Sequence, residues 1–207
     1  MAVPGVALVL FLVYSAVHFG SDRYQQGGII HAAARGAIPI LLPIAFHAEE
    51  VSKLFSTIAS TDINIAQYRI AAWALAAVAV LFTVAVAFRR EKYVSAAEAA
   101  LLVALNFTCP PLIAFTVYFV FLHSIRHIIE LAGWLEPDSL ARGFYRIMRQ
   151  SLVVTGLLLA AGAAASFLIS ADDVEPAIIR AVFVGLSCLT VPHMVVTHLA
   201  EKRIGRA

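Results

Sequence analysis

Charge is what this chain has least of. Asp, Glu, Lys and Arg together make up 14% of its 207 residues, against the roughly 25% of an ordinary soluble domain. With 61% hydrophobic residues and a mean hydropathy of +0.88, that deficit excludes a soluble globule of the usual kind. Cysteine is scarce too: Cys109 and Cys188 both sit in apolar surroundings and form neither a disulfide framework nor a paired metal motif. No dense basic tract exists, so nucleic-acid binding has no electrostatic footing. The three lysines, Lys53, Lys92 and Lys202, are read as lying in connections or the tail, which excludes a retinal Schiff base in mid-span and with it a rhodopsin. Missing as well are a phosphate-binding glycine loop, a Ser/His/Asp constellation and any repeat of 20–50 residues. The N-terminal run has no basic region or small-residue cleavage site, so the first helix is expected to be retained.

What is present is a succession of long apolar runs. About 20 residues at 1.5 Å rise cross the hydrocarbon core, and seven segments approach that length: 3–20, 29–47, 69–88, 94–108, 110–132, 150–170 and 176–199. The fold expected is all-α, a polytopic membrane bundle of about six to seven transmembrane helices forming one integral-membrane domain over 1–207. The fourth segment is short, and Cys109-Pro110-Pro111 after it removes two amide donors, so a helix break is expected there. If all seven segments cross, one set of connections carries Arg23, Arg89, Arg90, Lys92, Arg142, Arg146, Arg149, Lys202, Arg203 and Arg206, and the other only Lys53, Arg69 and Arg180. By the positive-inside rule the richer set is cytoplasmic. A multi-pass protein of the plasma membrane follows, with its C-terminus inside.

The seven histidines sort by depth. His18, His31, His193 and His198 fall toward inner ends of spans, and His123 and His127 in the inner half of the fifth; His47 falls at an outer end. His123 and His127, in HSIRH, are an i, i+4 pair on one helical face, so both imidazoles can ligate one ion without bending the backbone. The plain alternative is two interfacial histidines bonded to neighbouring helices. Ionisable groups inside a membrane are costly and default to function, and Arg126 and Glu130 add to the polar load beside the pair. In HFGSD, Asp22 is i+4 from His18 and would fix its tautomer if the helix continues past Gly20. His193 follows Pro192, where a kink can turn a side chain inward. Imidazole suits iron, zinc, copper or nickel alike, so spacing leaves the metal open. Only the neutral ring binds, and occupancy is expected to fall below about pH 6.5. A haem cytochrome using His18 with His123 or His127 stays open, as does a non-catalytic carotenoid- or haem-binding membrane protein. The HxxHH boxes of membrane di-iron desaturases are missing. Phe115, Tyr118, Phe119 and Phe121 precede the pair and either line a channel for a flat polyene or simply pack.

Taken together, YSAVHFGSD (14–22), RGAIPILLPIAFHAEEVSKLF (35–55), PPLIAFTVYFVFLHSIRH (110–127) and TVPHM (190–194) resemble the Brp/Blh family, bacterial and archaeal membrane β-carotene 15,15′-dioxygenases. The likeness covers nearly the whole chain. It implies a membrane enzyme that uses non-haem Fe(II) and dioxygen to cleave the central double bond of β-carotene into two retinals, with an opsin as a candidate recipient. On the family pattern the iron ligands are His18, His123 and His127, with His193 matching a further motif. Asp22 and Glu130 stand behind them, and Phe115, Tyr118 and Phe119 are taken as substrate-binding. The family's earlier motif of the PHGALDH type is not found before Val3, so the chain is expected to be N-terminally short relative to the family. β-Carotene is about as long as the hydrocarbon core is thick, roughly 30 Å; with the iron in the inner half, its tunnel is expected to run obliquely or across.

Overall fold

The computed structural model describes residues 3–20, 28–90, 93–166, 174–183 and 185, and among them the chain is helical with no strand. Helix α1 covers Val3–Gly20, α2 Ile29–Ala59, α3 Arg69–Arg89, α4 Tyr93–Thr108, α5 Pro111–Val117, α6 Ile125–Leu135 and α7 Leu140–Ser166; residues 174–183 are helical as well. Between α5 and α6, Tyr118–Ser124 form a π-helical stretch. Three helical stretches are long and apolar enough to cross a membrane: Ile29–Ala59, Ala66–Arg89 and Pro111–Leu135. Gly5–Gly20 and Tyr93–Thr108 are shorter and apolar. The all-helical membrane class read from the sequence is the class observed.

The chain forms two compact units, residues 1–115 with 178–207, and residues 116–177. In the first, α2 packs against α1, α3 and α4. Helix α3 shows why this is a membrane arrangement. Its buried positions are Ala72, Ala76, Ala79, Thr83 and Ala87, while Ile70, Leu75, Val78 and Leu81 are all more than half exposed. Small residues let helix backbones approach, and large apolar ones face outward, the reverse of a water-soluble helix. Between α1 and α2 the approach is closest. A Cβ on Gly36 would fall on the carbonyl oxygen of Ala16, and one on Gly20 on that of Ala32, so only glycine fits at either position.

Helix α2 runs beyond the predicted 29–47 to Ala59. It does so through a kink at His47 (φ −133°, ψ 43°), downstream of Pro39 and Pro43, which cannot donate to the carbonyls of Arg35 and Pro39. Lys53, expected in a connection, therefore sits on a helix, exposed past the kink. The connection to α3 is pinned by hydroxyls: Ser56 Oγ accepts the Ile63 amide at 2.9 Å and Ser52 Oγ that of Ile65 at 3.0 Å. At the same end of α2, Arg180 donates to the Thr57 carbonyl at 2.7 Å. The break at Pro110-Pro111 lies where expected, between α4 and α5.

In the second unit α6 packs against α7, with Ala132 wholly buried and Gly143 against its carbonyl. Helix α7 begins at Leu140, ten residues before the predicted span at 150. Ser139 Oγ accepts the Arg142 amide at 3.4 Å and starts the helix there. Arg142, Arg146 and Arg149 thus ride on helix rather than in a connection, and Arg146 pairs with Glu136 at 3.4 Å. Hydropathy finds only the apolar part of such a helix.

Candidate metal centre

The HSIRH segment straddles a change of helix type: His123 lies in the π-helical stretch and His127 in α6. The two rings are brought together, centroids 4.6 Å apart at 83°. One ring nitrogen of His123 lies within 4.8 Å of one of His127. The pair therefore fits a shared ion by separation as well as by donor type. His123 is 5% exposed. Its ring is walled by Phe119 at 5.5 Å and Tyr118 at 6.3 Å, which excludes water from one side of the pair. His127 Nδ1 lies 3.9 Å from Glu130 Oε2, and that carboxylate is 14% exposed. The distance exceeds a hydrogen bond but is close enough for the carboxylate to favour a proton on Nδ1, leaving Nε2 as the donor to an ion.

The apolar helical stretch runs Pro111–Leu135, with twelve residues on either side of His123.

His18 is half-buried on α1 in the first unit, its ring 5.9 Å from that of Phe19. Helix α1 is described as far as Gly20; Asp22 and His193 lie outside the described residues. Phe115 belongs to the first unit and stacks on Phe183 at 6.1 Å, whereas Tyr118 and Phe119 pack on His123 in the second.

Two polar arrangements escaped the sequence reading. His47 donates from Nε2 to the Asn106 carbonyl at 2.7 Å, and its Nδ1 lies 3.9 Å from Glu50. Both contacts are made at the kink of α2. Arg35, 9% exposed, lies 3.7 Å from Glu98 on α4. The signal was available: Arg35 and Glu98 are charges of opposite sign inside apolar runs, each near the N-terminal end of its helix, and such charges pair. The π-helical stretch left no mark on the hydropathy pattern, although π turns are frequent at functional sites.

A family model described as beta-carotene 15,15'-dioxygenase matches residues 1–201. A beta-carotene 15,15'-dioxygenase from uncultured marine bacterium 66A03 is 29% identical over 198 residues, covering 93% of this chain and 71% of that protein. No solved structure matches.

Proposed function

Because this chain belongs to the beta-carotene 15,15'-dioxygenase family, we propose that it cleaves β-carotene with dioxygen at the central double bond, giving two molecules of retinal, and that it uses iron to do so. The observation that carries the reading is the adjacent, edge-to-face pair of His123 and His127. His18 is the third ligand in this proposal and His193 a further one, with Asp22 and Glu130 orienting His18 and His127. The protein is proposed as multi-pass in the plasma membrane with its C-terminus cytoplasmic, and an opsin as a recipient of the retinal.

Bound iron would supply the chemistry of dioxygen, and the chain's own part is binding, orientation and exclusion of water. Neutral imidazoles add no negative charge and leave an iron(II) ion its full +2. Glu130 holds the His127 proton at Nδ1. Phe119 and Tyr118 keep His123 dry and offer flat faces to a polyene.

Expression in a β-carotene-producing host tests the proposal. Loss of colour with stoichiometric retinal is expected, along with about one iron per chain in purified protein. A host that stays coloured while the purified protein carries carotenoid without iron would indicate a carrier, and a haem absorption band a cytochrome.

A further inference from the structure

An apolar cavity of about 580 Å³, part of it open to the outside, lies wholly within the first unit. Its walls come from α1 (Phe11, Leu12, Ser15, Phe19), from α2, from the start of α5 and from Phe183. Serine 15 is the single polar side chain among the lining residues. The cavity follows from the shape of α2. Pro39, Ile40 and Pro43 line it from before the kink at His47, and Val51, Leu54 and Phe55 from after it, so the bend holds the two halves of one helix around the space. Phe115 closes one side, its ring 6.4 Å from Phe19 and 6.1 Å from Phe183.

We propose that this cavity seats one ring end of the carotenoid, an unsubstituted cyclohexene ring, and so sets how far the polyene threads before its central bond reaches the metal. The inference rests on the function proposed above. Three observations favour this occupant. The lining offers a hydrocarbon ring dispersion contacts on every side and almost nothing to hydrogen-bond, as the end of a pure hydrocarbon requires. The cavity is walled by aromatic rings and prolines, whose flat faces suit a ring. The length also agrees. The wall on α1 begins at Phe11, and His18, the proposed ligand on that helix, is seven residues on, about 10 Å along the axis. Half of a carotenoid of roughly 30 Å is about 15 Å from tip to central bond, so a ring whose tip lies a few ångströms beyond Phe11 would bring that bond level with His18. In this scheme the cavity works as a depth stop: the ring seats and the polyene can go no further.

The test is direct binding of β-carotene to the purified full chain in detergent, followed by quenching of tryptophan fluorescence, with iron content and retinal formation measured on the same samples. Val51→Phe fills the cavity from α2 and is expected to weaken β-carotene binding about tenfold or more, with iron content unchanged. A linear C40 polyene without rings should lose much less. Ser15→Leu fills it from α1 and should act alike; if both fillers lower the thermal transition, Leu54→Ala, which enlarges the cavity, is expected to loosen binding of the ring-bearing substrate in a folded protein. Unchanged affinity in these variants overturns the proposal. So does an equal loss for the ringless polyene, or a change only in the amount of co-purifying phospholipid, which would make the cavity a lipid seat. Wild-type protein that binds β-carotene in a cavity-dependent way but never cleaves it would overturn the catalytic reading and leave this one standing.

Discussion

Alanine in place of His123 or His127 is expected to leave the purified protein without iron and without retinal formation, while the helical content and the yield in the membrane stay at wild-type levels. The two rings are neighbours, centroids 4.6 Å apart, and they belong to one continuous helical stretch, so removing either breaks the chelate that they form together. Each is expected to lower metal affinity by more than about 100-fold, because loss of a direct ligand exceeds the 10–100-fold typical of the groups that orient ligands. Glu130→Gln provides that comparison. The carboxylate lies 3.9 Å from His127 Nδ1, and its loss should weaken iron binding by about 10–100-fold without abolishing it. His18→Ala tests the proposed third ligand and should match the pair variants. Elemental analysis of detergent-purified protein gives iron per chain, and chromatography of host extracts gives retinal. Iron content unchanged in His123→Ala and His127→Ala would reduce the pair to two packed histidines and remove the metal from the proposal.

The parts of this structure legible beforehand were those that composition and local chemistry determine. Proline cannot donate, so the break at Pro110-Pro111 was visible. A spacing of four on a helix brings side chains together whatever the surroundings, so the meeting of His123 with His127 was visible too. What stayed hidden depends on tertiary geometry. The hydropathy of α2 falls after His47, and the predicted span ended there; the helix continues to Ala59 because a kink redirects it and Ser52 and Ser56 secure the chain that follows. The start of α7 is set by Ser139 and carried through three arginines, which an apolar window rejects. The π-helical turn at Tyr118–Ser124 changes which residues share a face with His123, and no periodicity computed at 3.6 residues per turn reports it. Phe115 and Phe119 illustrate the outcome. Four residues apart, they read as one aromatic stripe, yet one walls the apolar cavity and the other packs on His123.

Gly36→Val is expected to cost about 1–3 kcal/mol or somewhat more in stability, since overpacking is most severe where the obstacle cannot turn aside. The atom a Cβ would strike is the carbonyl oxygen of Ala16, part of the backbone of α1, with the Gly20 amide also within reach. Backbone cannot change rotamer, so α1 itself must shift. His18 lies between Ala16 and Gly20 on that helix, and any displacement of α1 carries its imidazole along. A misplacement of about 1 Å can lower a rate by about 100-fold, so retinal formation should fall by far more than the stability change explains, at temperatures where the variant remains folded. Gly133→Ala is the control. Nothing lies within 4 Å of a Cβ there, and the position is helical, so alanine should be neutral or add up to about 1 kcal/mol through helix propensity. Thermal transitions in detergent, read beside iron content and activity, separate the outcomes. A Gly36→Val protein with wild-type stability and wild-type activity would show that α1 need not approach α2 so closely, and would remove the close crossing as the device that positions His18.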